Sequence, residues 1–356
     1  MALLNRRKTE PEDLIEQPEE LAKQVEEEIE KEAEEFLKKK EVNWKDTPIV
    51  STHSTLLDLA ISGGRVYEGG IPCSILCEFY GPAGSGKTAI LSEVGASAQE
   101  LGGEIMYEDP EARLDQEYAR IYNIELNKKN YFRPETVSQV FDLVTEWHKE
   151  HYNKKIKVAL TDSLAALTTD LEIDTGDKMG MRRAKEFSAG FRKSARMISD
   201  MLWICSNQER EGDKGITTPG GKAIPYYSSL RARIRQVKKI EVEKKLTSGT
   251  KVSKAIGIES ECYISKSTVD DPYRKASVYI VFGYGIDDIR GNLQYLKDMK
   301  KTTSYKIGEK SFLGMEQAIK YVEENDKAED LRKETIETWH EIEELFQFNK
   351  ERKRKR

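Results

Sequence analysis

No apolar run in this sequence approaches the roughly 18 residues that a bilayer-spanning helix needs, and acidic sequence, not an apolar core, follows the "NRRK" near its start. These absences lead to the expectation of a cytoplasmic protein. Cysteine is scarce. The four residues, Cys73, Cys77, Cys205 and Cys262, contain no CxxC pair, which removes the usual zinc and disulfide frameworks. Cys73 and Cys77, at same-face strand spacing in "CSILCEFYG", read as reduced core thiols. Excess charge of either sign is also missing: 58 Lys and Arg against 63 Asp and Glu leave −5. That balance excludes a globally basic nucleic-acid binder but permits local basic patches.

What is present begins with length. At 356 residues the chain exceeds the usual single domain, so one large core with smaller attached pieces is expected. Residues 1–48 are acidic, and Leu21, Val25, Ile29, Ala33 and Phe36 recur at helical spacing. This predicts a helical arm too thin to fold alone, one that docks on its own domain or on a neighbouring subunit. Over residues 49–289 short apolar runs alternate with helical patterns, from "SILCEFYG" through "GEIMYED" and "IKVALTDS" to "MLWICSNQ". Alternation of this kind predicts an α/β core with a mainly parallel sheet and ligands beyond the carboxyl ends of its strands. "ESECYISKS" and "KASVYIVFG", separated by "TVDDPYR", predict an antiparallel edge. Residues 290–345 read as a small α+β domain with a hairpin at "SYKIGEKSFLG" and two helices, and 346–356 as a basic tail, solvated or touching nucleic acid.

"GPAGSGKT", residues 81–88, follows an apolar strand and precedes a helical run. Gly81, Pro82, Ala83, Gly84, Ser85 and Gly86 form a loop whose backbone N–H groups can curl around phosphate oxygens, and the helix opening at Lys87, Thr88 and Ala89 adds its partly positive end. Lys87 is expected to reach the β- and γ-phosphates of ATP, and the Thr88 hydroxyl to hold Mg²⁺. Asp162, at the end of the strand "IKVALTDS", is placed to hold the same ion through a water. Hydrolysis also needs a group that positions or deprotonates water. "YEDPEARLD" supplies Glu108, Asp109, Glu111 and Asp115 at another strand end, and chemistry alone does not choose among them.

Beyond "MLWICSNQ" lies "GDKGITTPGGKAIPYY", glycine-rich, basic and almost devoid of core-forming residues before its last two tyrosines. Together with "STHSTLLDLAISGG", "EFYGPAGSGKT", "YEDPEARLDQEYAR", "VALTDSLAAL", "MGMRRAKEFSAGFRK", "ICSNQ" and "TTPGGKAIPYYSSLRARIR", it stands in the order and approximate spacing of the RecA recombinase family, which the chain resembles from about residue 50 to 340. The resemblance implies a RecA-like P-loop ATPase that uses ATP and Mg²⁺, polymerises as a helical filament on single-stranded DNA, and pairs and exchanges it with homologous double-stranded DNA in recombination and repair. By position, Glu111 corresponds to the residue that activates water, and Asp115 and Tyr118 to residues against the adenine. Gln208 corresponds to the sensor of the γ-phosphate.

The resemblance also assigns two DNA-binding loops, about 171–183 and 209–224. Gly220 and Gly221 would bring backbone N–H groups to phosphates, and Arg182, Arg183, Arg192, Arg210 and Lys222 would neutralise them. Met179 and Ile216 would wedge between bases, with Gly180 beside them in the first loop. Such loops are expected to be disordered until nucleotide and DNA are both bound. Lys266 falls where the family places a lysine that reaches a neighbour's nucleotide, and Tyr226 where an aromatic residue couples the second loop to the subunit interface. Departures are also visible: Thr268 replaces a second lysine of bacterial members, Asp270 and Asp271 offer a substitute cation site, the second loop is short, and the chain ends basic. They suggest a phage-encoded or otherwise divergent member. Two alternatives remain, a RecA-fold regulatory or mediator paralogue and a hexameric DNA motor. Intact Lys87, Thr88, Glu111, Asp162 and Gln208 oppose the first, and a bare N-terminal helix opposes the second.

Overall fold

Strands that are apolar on both faces, each followed by a helix with one apolar stripe, must stack as helix, sheet, helix to bury what they carry. The computed structural model has this architecture and describes residues 18–38, 46–114, 116–169, 180–212 and 215–347. Its first part contains α1 (Pro18–Lys38), β1 (Ile49–Val50), α2 (Thr55–Ser62), β2 (Ile71–Pro72), β3 (Leu76–Gly81), α3 (Lys87–Glu100) and β4 (Glu104–Glu108). Next come α4 (Gln116–Ile121), β5 (Tyr131–Phe132), α5 (Val137–Glu150), β6 (Lys157–Thr161), α6 (Gly180–Lys193), the short α7 (Ala195–Ile198) and β7 (Leu202–Gln208). The chain continues with β8 (Arg210–Gly212), β9 (Gly215–Thr217), α8 (Ala223–Tyr227), β10 (Leu230–Lys245), β11 (Lys251–Ser267), β12 (Lys275–Val281) and β13 (Gly285–Ile286). It closes with α9 (Asp288–Met299), β14 (Tyr305–Ile307), β15 (Lys310–Phe312), α10 (Met315–Glu324) and α11 (Ala328–Leu345).

The main sheet has nine strands in the order β13-β12-β11-β10-β3-β7-β6-β4-β5. Neighbours from β10 to β5 are parallel, and β10 to β13 pair antiparallel, so the expected α/β class and antiparallel edge are both found. The order of the parallel strands brings the carboxyl ends of β3, β4, β6 and β7 to one edge. One apolar layer packs Ile90, Leu91 and Val94 of α3 and Leu57 of α2 against Cys77, Phe79 and Leu160. The opposite layer packs Phe141, Val144, Phe187 and Phe191 against Leu76, Met106 and Trp203. All four cysteines are buried free thiols, as expected, and burial pushes those of Cys73 and Cys262 up to about 12.

Helix α1 carries the predicted stripe: Val25, Ile29, Ala33 and Phe36 are buried in the second layer, while the Leu21 side chain lies outside the described part. It packs on α6 and α8 of its own chain, with the Phe36 and Tyr227 rings 5.2 Å apart. The predicted hairpin at 305–312 and its two following helices surround a small cluster of Leu293, Leu296, Ile307, Ala318 and Val322. Trp339 of α11 joins this unit to Leu59 of α2. Residues 348–356, most of the basic tail, fall outside the described residues. Among the described residues no helix is long and apolar enough to cross a membrane.

One large element goes beyond the sequence reading. β10 and β11 form a ladder from Leu230↔Ser267 to Lys245↔Lys251, of which only the later strand's second half was expected. β10 continues past Ile234, whose carbonyl lies against Gly81, so the outer ribbon extends beyond the edge that carries the phosphate loop. "KKIEVEKK", exposed apart from buried Ile240 and half-buried Val242, has the charge of a solvated segment, and the backbone pairing that makes it a strand leaves little apolar pattern to read.

Candidate functional site

β3 ends at Gly81 and α3 begins at Lys87, so the intervening loop turns at the sheet edge directly onto a helix N-terminus. The turn needs glycine at two positions. Gly84 and Gly86 have φ of +73° and +93°, and a Cβ on Gly86 would lie 2.3 Å from Ile280 Cδ1. Lys87 curls into the loop, where Nζ donates to the carbonyls of Gly81 at 3.0 Å and Pro82 at 2.8 Å. Burial lowers its pKa, opposed by the nearby carboxylates of Asp162, Glu111 and Glu209. Those carbonyl contacts are ones a phosphate can take over.

Thr88 Oγ1 donates to Asp162 Oδ2 at 2.6 Å, and Ser206 Oγ donates to the other oxygen. Burial raises the Asp162 pKa against these two hydrogen bonds. A hydroxyl and a carboxylate side by side at the phosphate edge are the hard oxygen donors that Mg²⁺ prefers, so the residues present fit that ion. The four carboxylates left open by the sequence now separate. Glu108 is fully buried on Thr161 and pushed well up by desolvation, and Asp109 is engaged by Leu114 N and Tyr131 OH. Asp115 lies outside the described residues. Glu111 lines the cavity at the phosphate loop, where its Oε1 accepts from Ser163 Oγ at 2.5 Å and from Gln208 Nε2 at 3.2 Å.

That cavity encloses 430 Å³ between the phosphate loop, the aromatic side of α4 and the end of β12. Tyr118 lines it and its hydroxyl meets that of Tyr122 at 3.0 Å. Lys266 is not part of it. Its Nζ instead caps the end of α8, donating to Pro225 O at 2.9 Å and Tyr226 O at 2.8 Å, and burial with Arg231 nearby brings its pKa down to about 8. Asp270 is held by Arg274 at 2.7 Å and by Gly64 N, which leaves its charge already answered, and Asp271 is exposed. Among the described residues no group of three or more His, Cys, Asp or Glu is able to hold a metal ion.

The segment after Gln208 differs from a featureless loop. β8 and β9 pair Arg210 with Thr217 and Glu211 with Ile216 in a short antiparallel hairpin, on which Arg210 and Ile216 are exposed. The extended, β-branched "ITT" supports that pairing. Gly220 and Gly221 follow with φ of +91° and +62°, and a Cβ on Gly220 would meet Ile224 at 2.6 Å and Phe187 at 3.1 Å. Close packing thus accounts for Gly220. Gly180 opens α6, and Arg182 and Arg183 lie half-buried along it. Met179 and the rest of 170–179 are outside the described residues. Two of the expected DNA cations are engaged by α1: Lys222 Nζ meets Glu26 at 2.6 Å, and Arg192 pairs with Glu32. Tyr226 OH reaches Glu30 at 3.4 Å.

Residues 18–287 match the family model of the RecA N-terminal domain. The chain belongs to the RecA family. Protein RecA of Acholeplasma laidlawii is 31% identical over 293 residues, covering 77% of this chain and 82% of that one. Protein RecA of Crocosphaera subtropica is 30% identical, with coverages of 78% and 79%, and that of Delftia acidovorans 31%, with 79% and 76%. The function is that of a RecA recombinase with ATPase activity, and the paralogue and ring-motor alternatives are not favoured.

Sequence reasoning missed several residues that line the cavity at the phosphate loop: Arg113, Tyr122, Phe282 and Gly283. Arg113 Nε pairs with Glu111 Oε2 at 2.6 Å, which gives Glu111 a second cationic neighbour besides Lys87. Phe282 is 62% exposed, unusual for so large an apolar side chain. Its signal was an aromatic in the glycine turn "FGYG". That signal becomes readable only when β12 is known to end beside Gly86.

Proposed function

We propose that this recombinase assembles as a helical filament on single-stranded DNA and exchanges that strand with homologous double-stranded DNA, using ATP to set its grip. Lys87 and the loop amides hold the β- and γ-phosphates, Thr88 and Asp162 hold Mg²⁺, and Tyr118 with Asp115 receives the adenine. Mg²⁺ when bound supplies positive charge against the phosphates. Glu111 orients and deprotonates water, and the amide of Gln208 holds Glu111 until a γ-phosphate competes for it. Lys266 and Tyr226 stand at the subunit seam, and α1 of the acidic arm 1–48 stays docked on its own core. Gly180, Arg182, Arg183, Arg210, Ile216 and Gly221, with Met179, Gly220, Arg192 and Lys222, line the path of the DNA, and the small domain 290–345 flanks the core 49–289.

The observation that supports this reading best is one contact and its position. Gln208 touches Glu111 at 3.2 Å and is also the last residue of β7, two residues before the hairpin that carries Arg210 and Ile216. A change at the phosphate end of the cavity therefore acts on a DNA-facing segment through a single side chain. Grip by stacking and phosphate contacts ignores sequence, as strand exchange requires. The test is ATP turnover with and without single-stranded DNA, together with a strand-exchange assay. Turnover should rise about tenfold or more with DNA, exchange should need ATP, and Lys87→Ala should abolish both. Turnover indifferent to DNA would sink the reading.

A further inference from the structure

Asn207 precedes Gln208 in β7 and is fully buried, yet three separate parts of the molecule use its amide. Its Nδ2 donates to Glu78 Oε1 and to Pro219 O, both at 3.0 Å, and its Oδ1 accepts from Gln208 N at 3.0 Å. Pro219 lies where the segment that Gln208 opens returns to the core. One side chain therefore ties the two ends of that segment, 12 positions apart, at its base. Glu78 sits on the adjacent strand β3 and is likewise fully buried, and its second oxygen accepts from Arg231 Nε at 2.5 Å. The Arg231 guanidinium lies over the Tyr80 ring, 4.4 Å from its centre, and Arg231 stands opposite Lys266 in the β10–β11 ladder.

A buried carboxylate and guanidinium add little net stability over apolar residues of the same size. Packing alone would thus be served without them. What the polar set supplies is direction: Glu78, fixed by Arg231, gives the Asn207 amide a pivot, and the angle about that pivot sets where both Gln208 N and Pro219 O lie.

We propose that Asn207, anchored by the Glu78–Arg231 pair, is a positioning residue that makes the far end of the DNA-facing segment move with Gln208. This rests on the proposed function above. A shift of Gln208 on nucleotide binding pulls on Asn207 Oδ1, the amide turns about its anchor on Glu78, and the Pro219 carbonyl follows. The same anchor reaches Lys266 through Arg231, so the seam and the DNA segment share one fixed point.

The test compares wild type with Asn207→Leu, which keeps a similar volume but loses the amide's hydrogen bonds, and with the double variant Glu78→Met/Arg231→Met, which fills the space with apolar side chains but removes the anchor. For each, KM for ATP, turnover without DNA, turnover with single-stranded DNA, and DNA affinity with and without a non-hydrolysable ATP analogue are measured. The expected result in both is KM and DNA-free turnover within about twofold of wild type, with DNA stimulation and the analogue's gain in DNA affinity each reduced about tenfold. Thermal melts identify a variant that does not fold, and the other then decides. Full stimulation in a folded variant overturns the inference, as does an equal loss of DNA-free and DNA-stimulated turnover. Wild type that DNA fails to stimulate would remove the functional reading itself, and this inference with it.

Discussion

At the scale of single residues, chemistry is local where the motif is contiguous and obscure where the fold selects. "GPAGSGKT" carries its own geometry, since the glycines, the lysine and the helix start are neighbours in sequence. Glu111 is different. The sequence offers four carboxylates from the end of β4 onward, and only packing shows that Glu108 is buried on the sheet while Glu111 lines the cavity. Its neighbours also predict its replacement. Gln at this position still accepts from Ser163 Oγ but no longer takes a proton from water, so Glu111→Gln should bind ATP within about threefold of wild type and turn over at least about 100-fold more slowly. Single-turnover hydrolysis with labelled ATP measures both. Unaltered hydrolysis would place the base elsewhere.

At the scale of elements, the alternation of strand and helix was readable because parallel strands buried on both faces must be apolar throughout. The outer ribbon of β10 and β11 was not, because among Lys238, Lys239, Lys244 and Lys245 the single buried Ile240 is too little to mark the pleat. Helix α1 was legible as a helix but not in its contacts. Its stripe is apolar and its margins are acidic, and the structure uses the two differently: Ile29 and Phe36 enter the aromatic layer, while Glu26 and Glu32 meet Lys222 and Arg192 in half-exposed pairs. Exposed pairs of this kind contribute about 0–1 kcal/mol each, whereas truncating a buried Ile or Phe costs about 2–5 kcal/mol. Phe36→Ala should therefore release α1, seen as fast amide exchange over 18–38. Glu26→Gln with Glu32→Gln should leave it docked. In that second variant Lys222 and Arg192 no longer answer carboxylates, so single-stranded DNA should bind more tightly and with a salt slope steeper by about 1–2. A salt titration of DNA-bound fluorescence anisotropy reads this, and an unchanged slope would take both cations out of the DNA path.

At the scale of the whole molecule, Lys266 placed at the subunit seam, as proposed, would link subunit assembly to pH. Burial and the proximity of Arg231 bring its pKa down to about 8, with Glu78 opposing, so the side chain is charged below that pH and neutral above it. In the unfolded chain a lysine holds its proton up to about pH 10.4. The group therefore costs stability that is fully present below pH 8 and fades as pH rises toward the unfolded value, and its contribution to stability increases with pH across that window. Assembly has the opposite sign. If Lys266 meets a neighbour's phosphates across the seam, their negative charge favours the protonated form, and each contact formed takes up a proton when the pH is near or above 8. ATP-dependent filament formation should then weaken as pH climbs from about 7 to 9, while Lys266→Arg, which stays charged throughout, should flatten that profile. Light scattering of protein with ATP and DNA across this range gives the midpoints. The folding contribution of Lys266 itself cannot produce the same trend, because it runs the other way. A profile equally steep in Lys266→Arg would show that the seam senses pH through some other group, and that Lys266 serves only to hold the end of α8.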